Sequence, residues 1–165
     1  MFLGFFDLTT YTILHVIISL VAIIAGFVVM AGMPDGQRMP GCTALFLALT
    51  VLTSLTGFGF PFTGVLPSHV VGVISLVVLL FAILAYYQYR LEGPWRWIYV
   101  VTALAAQWFN VFVLIIQGFQ KISLLHALAP TQSEPPFLVA QGVVLILFVV
   151  LGIVAVRNFR PRDVA

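Results

Sequence analysis

The fold is decided by residues 39–89, which read MPGCTALFLALTVLTSLTGFGFPFTGVLPSHVVGVISLVVLLFAILAYYQY and carry no charged side chain. A helix needs about 20 apolar residues to cross the hydrocarbon core of a bilayer, so this run is too long for one crossing and must turn. The segment Pro61–Ser68 contains two prolines and a glycine, which end one helix and start the next. Two membrane-spanning helices are therefore predicted, over residues 43–60 and 69–89.

Further charge-free runs flank this stretch, and three of them suit one crossing each. They predict helices over residues 8–30, 97–120 and 137–156. The predicted fold class is all-α: residues 1–165 form a single polytopic integral membrane bundle of five transmembrane helices. Residues 121–129 are amphipathic, and they are predicted to extend the fourth helix or to lie along the outer membrane interface.

Composition limits the class of protein. Hydrophobic residues make up 62% of the chain and charged residues 7%, whereas a soluble domain has about 25% charged residues. This balance excludes a soluble globular protein, a disordered chain and an electrostatic nucleic-acid binder. The expected partners are the lipid bilayer and other membrane subunits or a second copy of the chain. A single cysteine, Cys42, excludes an internal disulfide and a cysteine-rich zinc site.

The placement of the basic residues predicts the orientation. With five crossings, six of the seven fall on the side of the C-terminus: Arg38, Arg90, Arg96, Arg157, Arg160 and Arg162. Lys121 is on the other side. Because cytoplasmic loops are enriched in Lys and Arg, the C-terminus is expected in the cytoplasm and the N-terminus outside, in an inner (plasma) membrane. Aromatic residues crowd the same end and predict a belt at headgroup level: Tyr86, Tyr87, Tyr89, Trp95, Trp97 and Tyr99.

Polar and small residues mark the helix faces that point inward. In the first helix, His15, Ser19 and Gly26 lie along one stripe with Ala22. The predicted buried polar site, drawn from the fourth helix and the outer half of the chain, consists of Gln107, Asn110, Gln117, Lys121, Glu134 and Gln141. Such stripes serve either as packing seams or as functional sites, and both interpretations stay open from the sequence.

The three histidines, His15, His69 and His126, all fall in the outer half, opposite the arginines. His15 and His69 are candidate axial ligands of a haem b. All three, or two of them with Glu134, are candidate ligands of a divalent metal such as zinc or copper. A histidine at this level is also suited to accept a proton. The structural alternative is that His15 hydrogen-bonds across the bundle, His69 caps a helix and His126 is solvated.

Three functions are compatible with these features. The first is a non-catalytic accessory or assembly subunit of a membrane complex, with a polar, histidine-containing site near the outer face. The second is a membrane redox protein that binds haem or a metal through His15 and His69. The third is a small transporter or channel subunit. Extreme apolarity and short loops favour the first.

Overall fold

Each long apolar run of the sequence forms a helix. The structure is a computed structural model that describes residues 7–61 and 67–160, and those residues contain no strand. The helices are α1 (Leu8–Gly32), α2 (Pro40–Gly57), α3 (Pro67–Ile83), α4 (Trp95–Lys121), the short α5 (Ser123–Leu128) and α6 (Pro135–Asn158). Within the described residues five helices (α1, α2, α3, α4 and α6) are long and apolar enough to cross a membrane, which confirms the all-α fold with five such helices.

Capping and proline chemistry set the helix limits. The Asp7 carboxylate accepts a hydrogen bond from the Thr10 amide at 3.4 Å and caps α1. α2 begins at Pro40, whereas the sequence pattern put its start at residue 43, because a proline is well tolerated in the first turn of a helix. The predicted outer segment 121–129 is broken at Ile122, where the backbone is extended, and its remainder forms α5.

Four helices form a ring, and the fifth long helix lies outside it. α2 packs between α1 and α3, and α4 packs on α3 and closes the ring against α1. α6 packs mainly on α4, and no residue in its most apolar stretch is buried. The side chains of α6 are therefore exposed over most of its circumference, as expected of a helix surrounded by lipid.

The half of the ring nearest the arginines is solidly packed. Met30, Phe46 and Tyr99 are fully buried there, from three different helices. The Tyr86 hydroxyl donates to the backbone carbonyl of Arg38 at 3.2 Å, and the Arg38 guanidinium lies over the Tyr86 ring, 5.5 Å from its centroid. Tyr86 and Tyr99 are thus core residues, which corrects the prediction that both belong to a headgroup belt.

One arginine joins α4 to the end of α6. The Arg96 guanidinium donates to the backbone carbonyls of Val156 at 3.1 Å and Phe159 at 2.6 Å. These carbonyls lie at the C-terminus of α6, where backbone acceptors lack helical partners. Phe159 is buried beside Tyr99, with ring centroids 5.8 Å apart. Arg162 lies outside the described residues, as do residues 62–66 of the predicted outer loop.

Candidate functional site

The half of the ring opposite the arginines is hollow. α1, α2, α3 and α4, with Phe60 and Pro61 after α2, enclose a cavity of about 430 Å³. Its polar lining consists of Thr12, His15, Ser19, Thr53, Ser54, His69, Ser75, Asn110, Gln117 and Lys121. Five of these are predicted site residues: His15, His69, Asn110, Gln117 and Lys121. The structure therefore brings five of the nine predicted site residues to one space between these helices.

His15 is held by one neighbour on α2 and one just after it, Thr56 and Phe60. Its Nδ1 lies 2.8 Å from Oγ1 of Thr56, and its ring meets the ring of Phe60 edge to face, with centroids 5.1 Å apart. One turn further along α1, the Ser19 hydroxyl donates to the His15 carbonyl at 2.7 Å and lies 3.3 Å from Oγ1 of Thr53. The stripe predicted on α1 thus faces α2 and one wall of the cavity.

His69, in the first turn of α3, stacks on the ring of Phe58, the residue that follows α2. Its imidazole lies nearly parallel to Phe58, at 19° and with ring centroids 5.5 Å apart. Gly72, one turn later, makes room for the same phenyl ring, since a Cβ there would lie 3.1 Å from Cζ of Phe58. Stacking on Phe58 therefore holds the imidazole in place beside the cavity.

The polar residues that α4 contributes to the lining lie at different depths in the cavity. Asn110 lies deepest, where its Nδ2 donates to Oγ1 of Thr50 at 3.2 Å. Gln117 and Lys121 lie nearer the end of α4 and are exposed, so they stand at the mouth of the cavity. Lys121 is the one charged side chain in the described lining.

Gln107 lies below the cavity, in a contact between helices. It is fully buried, and its Nε2 donates to the Ile23 carbonyl at 2.8 Å, while its Oε1 has no partner among the described residues. Gly26 lets the amide fit, because a Cβ at that position would overlap Oε1 and lie 2.5 Å from Cδ. This contact joins α1 to α4 and forms the floor of the hollow half.

Three other predicted site residues lie away from the cavity. Gln141 joins α6 to α4 through a hydrogen bond from its Nε2 to the Phe112 carbonyl at 3.2 Å. His126 is exposed on α5. Glu134 is the residue that precedes α6, and it accepts hydrogen bonds from the Thr131 amide and hydroxyl and from the Ser133 amide. Desolvation raises the pKa of the Glu134 carboxyl, but these hydrogen bonds outweigh it and hold the pKa below its ordinary value.

This placement does not support the predicted metal site. Within residues 7–61 and 67–160, no group of three or more His, Cys, Asp or Glu side chains is close enough to hold a metal ion. His126 is outside the lining that contains His15 and His69, and Glu134 is engaged by its own loop.

The sequence pattern does not identify three residues that contact the histidines: Thr56, Phe58 and Phe60. Thr56, whose Oγ1 lies beside Nδ1 of His15, comes one turn after Thr53 on α2, so the spacing of the threonines is a signal that could have indicated it. The aromatic residues Phe58 and Phe60 contact His69 and His15. Comparison of the chain with known proteins finds no matching family model, curated relative or solved structure.

Proposed function

We propose that this chain is a non-catalytic, five-span protein of the inner membrane that holds a small ligand in its outer half, as an accessory or assembly subunit of a membrane complex. The observation that carries the proposal is the cavity: four helices bring two imidazoles, two amides and several hydroxyls around one space. Polar groups within spanning helices are costly and are commonly functional. A pocket of a few hundred Å³ with apolar walls and a few polar groups is typical of small-molecule sites.

The composition of the lining favours binding over chemistry. It offers hydrogen bonds and aromatic surface, and its one charged group in the described part of the chain is Lys121 at the mouth. Cys42 lies near the start of α2, at the opposite end of the bundle. Beneath the cavity the ring is filled by large buried side chains such as Phe46 and Tyr99. A pathway for transport would require this packed half to open.

The proposal includes an orientation in which the cavity opens outward. The described arginines gather at the end where α2 and α4 begin and α6 ends, and the positive-inside rule puts that end in the cytoplasm. A reporter enzyme that is active only in the periplasm is expected to be inactive when fused after Ala165. The same reporter fused after Pro130, with α6 removed, is expected to be active. The reverse pattern would contradict the orientation.

A cavity-filling substitution tests the proposed function. Gly57 lines the cavity, and a Cβ there would meet no atom of the described residues within 4 Å, so Gly57→Leu is expected to fill part of the space. Organic extraction and mass spectrometry of the purified protein should show a bound compound, reduced about tenfold or more in Gly57→Leu, as expected for a loss of at least 1.4 kcal/mol in binding.

The matched control is Gly142→Leu, because a Cβ at Gly142 would likewise meet no atom within 4 Å in the described part of the chain, but Gly142 lies on α6, away from the cavity. It is expected to retain the compound at the wild-type level. Equal amounts from all three proteins, or none from any, would contradict a ligand-holding function.

A haem-binding redox protein is the second candidate, since His15 and His69 line the same cavity and the small residues Gly57 and Gly72 lie beside them. The absorption spectrum of the same preparation decides between the two. A Soret band that is lost in both His15→Ala and His69→Ala would favour haem b, and a colourless protein that carries another compound would favour the first function.

A further inference from the structure

The hydrogen bonds of Thr56 determine which nitrogen of a neutral His15 carries the proton. Oγ1 of Thr56 lies 2.7 Å from the Leu52 carbonyl oxygen, and two oxygen atoms this close need a proton between them. Because the carbonyl has none, the Thr56 hydroxyl donates its single proton to Leu52. Towards His15, Oγ1 can then only accept. At 2.8 Å from Oγ1, Nδ1 of His15 is therefore the protonated nitrogen.

It follows that Nε2 of His15 presents a lone pair. In the described part of the chain this atom has no hydrogen-bond partner, and it is not among the buried polar atoms, so it is accessible. His15 lines the cavity, with the Phe60 ring against its imidazole. Because His15 lines the cavity, its accessible Nε2 is the hydrogen-bond acceptor that it can offer to a ligand held there, and the complement of an acceptor is a hydrogen-bond donor on the ligand.

The rest of the wall is suited to apolar groups. Phe58, Phe60 and Phe109 line the cavity together with aliphatic side chains from α1, α3 and α4. Aromatic walls favour flat or ring-containing groups, and aliphatic walls favour hydrocarbon. A ligand that matches both the Nε2 acceptor of His15 and the apolar wall is amphipathic, with an apolar body and a hydroxyl at one end.

Three apolar residues of the cavity lining are also exposed. They are Val16, Leu20 and Leu114, whose side chains are 45%, 42% and 41% exposed. Val16 and Leu20 are on α1 and Leu114 is on α4, and all three lie on the cavity side of the Gly26–Gln107 contact that joins these helices. Lining residues that are exposed on both helices indicate an opening of the cavity between α1 and α4, on the side that would face lipid.

Resting on the ligand-holding function above, we infer that the ligand is a membrane-partitioned, neutral amphipathic molecule whose hydroxyl group donates a hydrogen bond to Nε2 of His15. A phenol or alcohol with a hydrocarbon chain has this chemistry. Its apolar body occupies the aromatic wall, and its chain reaches the bilayer through the opening between α1 and α4. Thr56 is a positioning residue, since it acts on the ligand only by fixing the protonation of His15.

Two probes isolate the hydroxyl: 4-heptylphenol and its methyl ether, 4-heptylanisole, which keeps the ring and chain but has no proton to donate. Binding of each to the full chain in lipid nanodiscs is measured by calorimetry, with empty nanodiscs subtracted. The phenol is expected to bind about threefold to tenfold more tightly than the ether, the range of one neutral hydrogen bond.

The ratio of the two affinities is then compared across variants, so that differences in membrane partitioning cancel. His15→Phe keeps an aromatic ring without an acceptor, and its ratio is expected to be close to one. Thr56→Val removes the acceptor of the Nδ1 proton and should lower the ratio, whereas Thr56→Ser keeps the hydroxyl and should preserve it. A purely structural role of Thr56 would change both affinities together and leave the ratio unchanged.

The outcomes separate this inference from the proposed function. Equal binding of the two probes to the wild-type protein would overturn the inference while the ligand-holding function stands. A preference for the phenol that persists in His15→Phe would place the acceptor elsewhere and would also overturn it. If neither probe binds although Gly57→Leu loses a co-purified compound, the ligand class is wrong. If Gly57→Leu loses nothing, the function itself fails.

Discussion

A valine in place of Gly26 is expected to destabilise the bundle by about 1–3 kcal/mol, the usual cost of inserting atoms into a packed interior. A Cβ at this position would overlap Oε1 of Gln107, whose side chain is fully buried and hydrogen-bonded to the Ile23 carbonyl. The amide cannot move away without losing that bond and leaving polar atoms unsatisfied. Unfolding by SDS titration in mixed micelles, followed by circular dichroism, measures the loss.

A second substitution shows whether the clash with Gln107 is the cause. Gln107→Ala removes the obstructing amide, so Gly26→Val should cost less in that background than in the wild-type protein. Gly142→Val is the matched control, since it places the same residue in open space on α6 and should change stability by no more than about 0.5 kcal/mol. Strict additivity of Gly26→Val and Gln107→Ala would contradict the contact as described.

Arg96→Met is expected to release the end of α6. The substitution removes two charge-assisted hydrogen bonds, to the Val156 and Phe159 carbonyls, and such bonds contribute about 1.5–3 kcal/mol each. Burial of Ala155 and Phe159 also holds this end of α6, so the expected effect is local opening of the last turn and not detachment of the helix. Tryptic cleavage after Arg157 should accelerate about tenfold or more, the factor that corresponds to 1.4 kcal/mol in local opening.

Arg90→Met serves as the control for Arg96→Met. Arg90 is exposed in the loop between α3 and α4, and its substitution removes the same charge from the same end of the protein. It is expected to leave the rate of cleavage after Arg157 unchanged. Equal acceleration in both variants would mean that charge, and not the hydrogen bonds of Arg96, holds the end of α6.

The sequence predicted the helices well because apolar length is a strong signal. It also placed His15, His69 and Gln117 towards the same end of the bundle, which follows from the direction of each crossing, and all three line the cavity. It could not separate Gln107 from Asn110, which lie three residues apart on one face of α4. Their roles differ because Gln107 is hydrogen-bonded to Ile23 on α1, whereas Asn110 is hydrogen-bonded to Thr50 on α2 and lines the cavity. The residue pattern along one helix does not reveal how far that helix lies from its neighbours at each level.

The aromatic residues at the arginine end also include some whose burial could not be predicted from the sequence pattern. Tyr87 and Trp97 are exposed, as a belt requires, whereas Tyr86 and Tyr99 are buried. A π-helical turn over Leu84–Gln88 widens the end of α3, and the Tyr86 hydroxyl reaches the Arg38 carbonyl in the loop before α2. Neither a local change in helix type nor a partner from a distant loop is visible in a count of aromatic residues near a membrane boundary.

The pairing of His15 with Thr56, and of Ser19 with Thr53, has a consequence for the order in which the chain is made. Both pairs join α1 to α2, which are neighbours along the chain and emerge together during synthesis. The polar face of α1 can therefore be satisfied by the first helical hairpin, before any later helix reaches the bilayer. When α4 arrives, Gln107 and Asn110 find the Ile23 carbonyl and Thr50 already displayed by that hairpin. The hydrogen-bonding groups of the bundle can thus pair in the order in which they are synthesised.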